Sequence, residues 1–529
     1  MRRDQHHNST LVVFGDSLSD NGNLFNLIGL PQPPDWDGRF SNGPNYAEQL
    51  ASLLHMRLDD RAYGFAEASD TSPSLLVNHV PPHAINLSYQ VAQYIAELDG
   101  HKPPADATAL INIGSNDYDS FFLNDGNPAD LPAFVQNVIG SVDAAINALT
   151  DAGFKHIILY TLPDFGLTPN AQAEGPAVVA AVHAVDLVNN AALAQLAASH
   201  SNVHLVDAFQ LTEAFAADPK TFGFNNDLTV TWTAQLATGT HQFAPNELAF
   251  FDGEHPTSAA HGVLAAFSDA VLTSDTAQFL DGTQSVIHAG GGDNFVFATP
   301  LDPTRSGLND NYTIYGGAGD DIIFAGEGNV TVHGGTGNDL IWAGAGNATL
   351  DGGSGHDVLE TGSTGVNKLI GGSDGDALIV NRAGTNALFG GTGNDLFVLK
   401  ESASLVKPDG SFTFGQQMVS GGGGHDTLRF IINDQNPTAE RAFLAEFARI
   451  ETAFDQAAKH GHAGSFDIDG LHVTGTERIE LQIDSVSTDP STPYLITHAI
   501  AAADGHGGEV SNSLGHLLQT AEQWNLLTV

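Results

Sequence analysis

A glycine-rich six-residue pattern recurs through the second half of this 529-residue chain and limits what that half can fold into. The copies read Gly-Gly-x-Gly-x-Asp and begin at Gly316, Gly334, Gly352, Gly390 and Gly421. The first three copies start at a constant interval, and every sixth-position aspartate is followed two positions later by an apolar side chain. A flexible glycine linker would show no such phase, so the pattern predicts coils of β-structure stacked on one another.

The segments between these copies are weaker versions of the same unit. Residues 325–333 and 343–351 keep an apolar eighth position but lose the sixth-position aspartate. A coil made of one strong and one weak copy turns at two opposite edges, so the strong copies are expected along one edge and the weak copies along the other. A further segment, 371–376, has Asp374 in place of the fourth glycine, and whether it provides an equivalent site stays open.

The full nonapeptide, G-G-x-G-x-D-x-U-x, resembles the repeats of the RTX (repeats-in-toxin) family, which form a calcium-binding parallel β-roll. Calcium takes about six to eight oxygen ligands, and stacked glycine turns offer carbonyl groups beside each carboxylate. The resemblance therefore implies structural calcium and no cofactor for catalysis. The implied ligands are the carboxylates of Asp321, Asp339, Asp357, Asp395 and Asp426 and the turn carbonyls of Gly316, Ala318, Gly334, Thr336, Gly352 and Ser354.

The first half of the chain has a different pattern, in which short apolar runs alternate with longer segments of helical spacing. The runs are 11–14, 109–113, 156–160 and 203–206, and the helical segments include 131–149 and 178–197. Strands that alternate with helices predict a three-layer α/β fold around a parallel sheet. Ligands bind beyond the carboxyl ends of the strands in such sheets, and both Ser17 and Asn116 follow such an end.

Ser17 is a candidate nucleophile. It lies on a glycine-containing turn after the first apolar run, and an Asp252/His255 pair follows much later in the chain. A serine nucleophile needs a histidine base, and the histidine needs a carboxylate that holds its tautomer. His261 is the nearest rival base, but no carboxylate stands three positions before it.

Four further blocks accompany these residues in order, and they are 38–44 (Gly-Arg-Phe-Ser-Asn-Gly-Pro), 62–66 (Ala-Tyr-Gly-Phe-Ala), 113–117 (Ile-Gly-Ser-Asn-Asp) and 162–169 (Leu-Pro-Asp-Phe-Gly-Leu-Thr-Pro). The ordered set resembles the GDSL (SGNH) family of esterases and lipases over residues 11–265. The resemblance implies a flavodoxin-like α/β fold in which Ser17 attacks the substrate, His255 is the general base and Asp252 orients the histidine.

The same resemblance implies an oxyanion hole built from the backbone N–H of Ser17, a backbone N–H near Gly64 and the side-chain amide of Asn116. Fixed donors aimed at a developing oxyanion are each worth about 3–4 kcal/mol. Where the family commonly has two adjacent glycines, this chain has Gly64 followed by Phe65. Which of these two residues donates stays open.

The charge balance narrows the class of partners. The chain has 62 acidic and 18 basic residues, a formal net charge of −44, which argues against nucleic acid and anionic membranes and favours divalent cations. No apolar run is long enough to span a bilayer, so an integral membrane protein is not expected. The absence of cysteine excludes disulfide bonds.

The expected layout has three segments. A hydrolase domain is expected over residues 1–275, a calcium-binding roll over 280–430, and a β-rich cap with a secretion signal over 431–529. The resemblance to RTX proteins implies export by a type I secretion apparatus and an extracellular or cell-surface location. The start of the chain, Met1–Asn8, lacks the apolar core of a secretory signal peptide, which agrees with that route.

The sequence thus predicts a secreted bacterial serine ester hydrolase of the lipase, esterase or phospholipase type, with an ester or lipid substrate. Two alternatives stay open. A polysaccharide or sugar O-deacetylase uses the same fold and triad. A non-enzymatic, calcium-dependent matrix or surface protein would keep the repeats alone, but the intact set of Ser17, Asn116, Asp252 and His255 argues against that interpretation.

A covalent label discriminates between two candidate serines. The segment 371–375, Gly-Gly-Ser-Asp-Gly, matches the G-x-S-x-G pattern of other hydrolases, but it falls in the repeats, where no strand–turn–helix context is predicted. A fluorophosphonate should therefore label Ser17 and leave Ser373 unmodified, as read by peptide mass spectrometry. Labelling of Ser373 would overturn the assignment of the nucleophile.

Overall fold

The computed structural model describes residues 9–71, 83–123, 127–217, 219–222, 224–225, 227–240, 242–279, 285–298, 311–326, 328–344, 346–361, 365–381, 384–400, 415–433, 437–460 and 464–484. The chain folds into two compact units that divide between Leu272 and Thr273. The part of the expected cap and secretion signal beyond residue 484 lies outside the described residues.

The first unit is built on a five-stranded parallel sheet. Its strands are β1 (Thr10–Gly15), β2 (Arg57–Asp60), β3 (Thr108–Asn112), β4 (His156–Tyr160) and β5 (Val203–Val206), in the order β2-β1-β3-β4-β5. This is the flavodoxin-like order, and the predicted fold is confirmed. The strand order reverses between β1 and β3, so a crevice is expected beyond their carboxyl ends.

Helices cover both faces of this sheet. They are α1 (Asn23–Ile28), α2 (Tyr46–Leu53), α3 (Leu87–Glu97), α4 (Ser115–Leu123), α5 (Leu131–Ala152), α6 (Pro169–Glu174), α7 (Pro176–Ser199), α8 (Ala208–Ala217), α9 (Trp232–Thr238) and α10 (Ser258–Thr273), with 3₁₀ turns at Pro128–Asp130, Phe165–Leu167, Pro219–Phe222 and Pro245–Glu247. On one face α3, α5 and α7 share a buried core with the strands. On the other, Tyr160 of β4 contacts Tyr46 of α2 and donates to Ser268 of α10.

Helix α7 is long and apolar enough to cross a membrane by length and composition, with a mean hydropathy of 1.5. Of its apolar stretch 28% is buried, and the polar residues on the buried side of the helix contact a neighbouring loop. Asp186 accepts the N–H of Phe165, and Asn190 both accepts from and donates to the backbone of Leu162. Buried carboxylate and amide groups that hold a neighbouring loop explain the helix without a bilayer.

The second unit is a roll of short strands. These are β6 (Thr276–Phe279), β7 (Val286–Gly291), β8 (Asn294–Phe297), β9 (Asn311–Ala318), β10 (Ile322–Phe324), β11 (Gly328–Thr336), β12 (Leu340–Ala343), β13 (Gly346–Ser354), β14 (Val358–Thr361), β15 (Val366–Ser373), β16 (Ala377–Asn381), β17 (Thr385–Thr392), β18 (Leu396–Lys400), β19 (Gln416–Gly423), β20 (Thr427–Asn433), β21 (Phe466–Ile468), β22 (Leu471–Thr474) and β23 (Arg478–Asp484).

Successive strands alternate between two nine-stranded sheets. The first sheet runs β23-β20-β18-β16-β14-β12-β10-β8-β6, and the second runs β21-β22-β19-β17-β15-β13-β11-β9-β7. Among these described strands all pairings are parallel except β21 with β22, which is antiparallel. Ile323 pairs with Ile341 and Asn329 with Asn347, in each case the equivalent position of the following repeat pair, so one repeat pair makes one coil. The predicted all-β parallel roll is confirmed.

The interior of the roll is the stack of apolar positions that the repeats predicted. The residues two places after the sixth-position aspartates are fully buried, as are the eighth positions of the weak copies; they are Ile323, Ile341, Leu359, Phe397 and Leu428 on one sheet and Val332 and Leu350 on the other. Each coil buries only a few short apolar rows, which also include Ala325, Val330, Ala343 and Ala348. Neighbouring coils are therefore needed to complete the core.

A helix, α11 (Pro437–Lys459), packs at the C-terminal end of the roll. Its Phe443 and Ile450 are fully buried in the roll core, and the Phe443 ring lies 5.8 Å from that of Phe430 on β20. Strands β22 and β23 then extend both sheets by one coil. The described part of the expected cap is therefore helix and strand together.

Candidate functional site

Ser17, His255 and Asp252 meet beyond the carboxyl end of β1. The Ser17 Oγ atom lies 3.1 Å from His255 Nε2, and His255 Nδ1 lies 2.9 Å from Asp252 Oδ2. The other carboxylate oxygen, Asp252 Oδ1, accepts the backbone N–H groups of Glu254 and His255 at 2.8 and 2.7 Å. The loop backbone thus holds the carboxylate, the carboxylate holds the ring, and the ring faces the hydroxyl, as in a Ser-His-Asp triad.

The electrostatics of the pair suit a base that must carry a proton briefly. Burial alone would raise the pKa of Asp252, but hydrogen bonds and charge from His255 outweigh it and the pKa is lowered. Burial opposes protonation of His255, yet the hydrogen bond and the charge of Asp252, with the nearby Glu254 and Asp16 carboxylates, raise its pKa. The imidazolium form is therefore stabilised beside Ser17.

The block at 38–44 anchors the histidine loop. Ser41 Oγ donates to the Pro256 carbonyl at 2.9 Å, and the Ser258 N–H donates to Asn42 Oδ1 at 2.8 Å. These contacts join segments that are far apart along the chain. The block therefore positions the triad without supplying a member of it.

Phe40 and Gly64 form an apolar wall beside the triad. The Phe40 ring centroid lies 5.1 Å from that of His255 and 5.7 Å from that of Phe65. A Cβ atom at position 64 would collide with the Phe40 ring. Glycine is thus required at position 64 because there is no room for a side chain. The sequence pattern alone did not distinguish this steric role from that of a backbone N–H donor.

The backbone N–H of Gly64 is already engaged. It donates to Asp20 Oδ2 at 2.8 Å, and the same carboxylate accepts three N–H groups at the start of α1. Phe65 has a left-handed backbone, with φ of +64°, which is rare for a residue with a Cβ. Within the described residues its N–H has no hydrogen-bond acceptor. Of the two candidate donors, Phe65 is therefore the one that is free.

Asn116 lies at the start of α4, directly after β3. Its side-chain Nδ2 donates one hydrogen to the Ala66 carbonyl at 2.9 Å. The neighbouring Asp117 accepts the N–H groups of Ala68 and Ser69 at 2.7 and 2.9 Å. Helix α4 thus holds the loop that contains Phe65, and the second amide hydrogen of Asn116 remains for another acceptor.

Two other titratable groups near the triad have structural explanations. Burial raises the pKa of Asp16 to about 7, and its carboxylate accepts from the Leu18 N–H and the Ser115 hydroxyl, both at 3.1 Å. Asp16 therefore joins the nucleophile turn to the start of α4. Burial lowers the pKa of His261 to about 3, so this rival histidine stays neutral inside α10.

One group in the first unit, among its described residues, has the composition of a metal site. One ligand atom each from Asp164, His183 and Glu213 lies within 4.8 Å of the others. The Asp164 carboxylate also contacts His183 Nδ1 at 2.7 Å and accepts the Gly166 N–H at 2.8 Å. Through these contacts Asp164 joins the loop after β4 to helix α7, which is a structural role.

The sixth-position aspartates of the roll form a continuous ladder. Each uses Oδ1 to accept the backbone N–H of its counterpart in the preceding coil at 2.8–2.9 Å; the members are Asp321, Asp339, Asp357, Asp376, Asp395 and Asp426. The ladder ends in Asn294 on one side, and on the other Glu477 accepts the N–H of Asp426. All six aspartates are buried.

The other oxygen of each carboxylate, Oδ2, is buried and has no hydrogen-bond partner. It points at the first glycine of its own repeat, where a Cβ would collide with it and would lie 2.7 Å from a carbonyl of the next coil at Gly316, Gly334 and Gly371. An orphaned carboxylate oxygen beside carbonyls, in a space that only glycine leaves free, fits a hard cation such as calcium. Asp376, in the segment left open by sequence, has the same arrangement as its neighbours.

The opposite edge of the roll satisfies itself without an ion. At the equivalent sixth positions, Asn367 donates to Asn386 at 2.9 Å, and Asn386 donates to Gln417 at 2.8 Å. Gln417 in turn donates to the Gly384 carbonyl at 2.9 Å. Neutral amides can both donate and accept, so this edge needs no counter-charge. One edge thus has a ladder of aspartates and the other a ladder of neutral amides. This difference agrees with the prediction that strong and weak copies lie along opposite edges.

The aspartate ladder is electrostatically strained without a cation. Burial, with repulsion from neighbouring carboxylates, raises the pKa of Asp321 to about 6, of Asp339 to about 8, of Asp357 to about 7, of Asp376 to about 9 and of Asp395 to about 7. The pKa of Asp426 is raised as well. Ionised side chains at neutral pH therefore oppose the packed roll unless positive charge enters the ladder.

Comparison with known proteins agrees with both units. The family model for GDSL-like lipase/acylhydrolase matches residues 11–267, and that for the RTX calcium-binding nonapeptide repeat matches residues 307–332 and 331–359. The first unit thus contains a domain of the GDSL-like lipase/acylhydrolase type, over residues 11–267. The second unit contains RTX calcium-binding repeats, and both agree with the sequence prediction.

Several curated relatives resemble the first unit. The phosphatidylcholine-sterol acyltransferase of Aeromonas hydrophila is 32% identical over 227 residues, which cover 41% of this chain and 64% of the relative. The thermolabile hemolysin of Vibrio parahaemolyticus is 28% identical over 276 residues, or 48% of this chain and 62% of the relative. The chain therefore spans less than two thirds of either protein. An inactive GDSL esterase/lipase-like protein of Arabidopsis thaliana is 27% identical over 291 residues, or 48% of this chain and 69% of the relative.

The ladder predicts an inverse pH dependence for the metal-free roll. A carboxyl group whose pKa is raised on folding contributes stability at low pH that is lost as the pH rises through its folded pKa. Thermal melts of chain dialysed free of divalent cations should therefore show the roll less stable at about pH 8 than at about pH 5. Asp339→Asn keeps the acceptor and removes the charge, and it should flatten this dependence. An apo roll that gains stability toward pH 8 would contradict the analysis.

Proposed function

We propose that the first unit hydrolyses carboxylic esters, with Ser17 as the nucleophile. The observation that carries the proposal is the 3.1 Å contact between Ser17 Oγ and His255 Nε2, with His255 held by Asp252. His255 Nε2 takes the proton as Ser17 Oγ bonds to the ester carbonyl carbon, and then gives it to the departing alkoxide. The same nitrogen activates water, which releases the acid and restores the serine.

The negative charge of the tetrahedral intermediate falls on the former carbonyl oxygen. The donors proposed for it are the N–H groups of Ser17 and Phe65 and the second amide hydrogen of Asn116. The Gly64 N–H donates to Asp20 instead, so its contribution is to place the next residue. The left-handed backbone at Phe65 is local strain at the point where this donor is needed.

A lipid or other hydrophobic ester suits the site better than an acetylated polysaccharide. The wall beside His255 is made by the rings of Phe40 and the more exposed Phe65, and the fully buried Leu24 side chain lies behind them against Gly64. Apolar rings next to a reacting carbonyl accommodate an acyl chain, whereas a sugar needs convergent hydrogen-bonding groups. The deacetylase therefore remains the second candidate, and the non-enzymatic alternative is tested by the same assays.

For the second unit we propose structural calcium along the aspartate ladder. The carboxylates of Asp321, Asp339, Asp357, Asp395 and Asp426 are the proposed ligands, now joined by Asp376, together with carbonyls of the glycine turns. The support is the row of unpartnered Oδ2 atoms. Calcium sites of extracellular modules are filled by the high free calcium outside cells, so we propose a secreted protein, with type I export as the route that its RTX repeats favour.

Replacement of Asn116 tests the oxyanion assignment. Asn116→Ala should lower kcat for a p-nitrophenyl ester by about 10²–10³ with little change in KM, because the lost hydrogen bond strengthens as charge develops. The matched control is Ser115→Ala, one residue earlier on α4, which loses the contact with Asp16 and keeps the amide. Ser17→Ala should abolish turnover. If Asn116→Ala retains normal kcat, Asn116 is a structural loop residue.

Replacement of Asp376 tests the extent of the ladder. Asp376→Asn in the full chain should weaken calcium binding, measured by isothermal titration, to the same degree as Asp357→Asn, because both remove one of the unpartnered oxygens. Asp351→Asn is the control, since this more exposed carboxylate contacts His333 and belongs to no repeat site. Calcium binding that is unchanged in Asp376→Asn would restrict the sites to the regular repeats.

A further inference from the structure

Large apolar side chains are exposed in one short stretch of the first unit. Phe25, Leu27, Leu30 and Trp36 are 40%, 53%, 39% and 43% exposed, and Phe65 is 37% exposed. We call these five residues the apolar lip. Single exposed apolar residues are ordinary on a protein surface. Four of them within one short segment, on α1 and the loop after it, indicate a surface that becomes buried on binding.

Several contacts fix the conformation of the segment that carries the lip. The side chain of Phe25 packs against Gly38, and the Arg39 guanidinium lies 4.9 Å from the centre of the Trp36 ring. Arg39 is fixed by ion pairs with Glu48 and Asp37, and the Trp36 N–H donates to the Ser41 carbonyl. The exposed rings are therefore presented by a fixed backbone, and docking them costs little conformational entropy.

The lip lies beside the catalytic site. Phe65 stacks edge-on against Phe40 at 5.7 Å, and Phe40 lies 5.1 Å from the His255 ring. Asp35, in the loop that contains Leu30 and Trp36, interacts electrostatically with Asp252 and His255. A surface that covers this loop and Phe65 therefore also faces the triad. A protein bound at the lip would block access to the triad. A lipid surface that contains the ester would instead supply substrate to the triad.

The charges around the lip indicate which kind of lipid surface it can contact. The segment 23–40 contains a single basic residue, Arg39, which is paired, and it contains the carboxylates of Asp35 and Asp37. These carboxylates repel an anionic surface. Tryptophan and long aliphatic side chains prefer the boundary between headgroups and acyl chains.

We propose that the apolar lip docks the protein on the surface of an uncharged or zwitterionic lipid aggregate, so that the ester is drawn from that surface into the triad. This inference rests on the proposed ester hydrolysis and adds where the substrate is taken up.

Vesicle flotation separates docking from chemistry. Full-length Ser17→Ala protein in calcium is mixed with vesicles of phosphatidylcholine alone, or with vesicles containing one-third phosphatidylglycerol. The protein should float with the first and less with the second. Adding Leu27→Ser and Trp36→Ser should reduce the bound fraction by at least about tenfold, because two large apolar side chains are no longer transferred from water into the lipid. Trp36→Phe should retain binding.

Matched controls come from exposed apolar residues elsewhere. Val188→Ser on α7 and Val366→Ser on the roll remove side chains that are 53% and 64% exposed, and both should leave flotation unchanged. With Ser17 restored, the lip variant should hydrolyse a soluble short-chain ester normally. It should lose at least about tenfold on the same class of ester presented as an aggregate.

The possible failures are distinguishable. Parent protein that does not float, or a lip variant that floats as well as the parent, overturns the docking proposal. Lip-dependent dimerisation in size-exclusion chromatography, without vesicle binding, assigns the lip to a second copy of the chain and also overturns it. Absence of hydrolysis of any ester overturns the proposed function instead, while flotation still reports on the lip.

Discussion

Both candidate sites depend on one interaction, in which a carboxylate accepts backbone N–H groups with one oxygen and leaves its other oxygen for a second partner. In Asp252, Oδ1 accepts two loop N–H groups and Oδ2 holds the histidine ring. In Asp339 and its equivalents, Oδ1 accepts the N–H of the preceding coil and Oδ2 is left without a partner. The backbone bond fixes the direction of the second oxygen, and this fixed direction makes a ring or a cation site reproducible.

The sequence predicted the architecture because its periods are long and regular. Repeats of nearly constant length, with apolar positions in phase, allow few structures other than a roll, and the buried rows through Ile323 and Val332 are those positions. The triad was equally accessible, because Ser17 and His255 lie in ordered motifs. The sequence left open whether Asp376 belongs to an equivalent site, because the repeat pattern is defined by its glycines and the fourth one is missing. The arrangement in the structure depends instead on the carboxylate and on the first glycine, Gly371, and both are present.

What the sequence could not predict depends on contacts between distant segments. Which of Gly64 and Phe65 keeps a backbone N–H without an acceptor depends on Asp20, far earlier in the chain, whose carboxylate accepts the Gly64 N–H. The apolar lip was likewise hidden, because composition and periodicity do not show whether Phe25 and Trp36 are buried or exposed. Their exposure follows from how the loop is held by Arg39, and one-dimensional patterns do not contain that information.

The ladder also shows how much variation the roll tolerates. Asp395 and Asp426 are separated by a much longer stretch of chain than their neighbours in the ladder, and the hydrogen bond between them is still 2.9 Å. Leu396 and Thr427 remain in register beside them. The stack therefore tolerates a longer interval between two successive repeats. For evolution, this makes the roll a permissive scaffold, in which an insertion between repeats can be accepted in a single step while the packing of the core is unchanged.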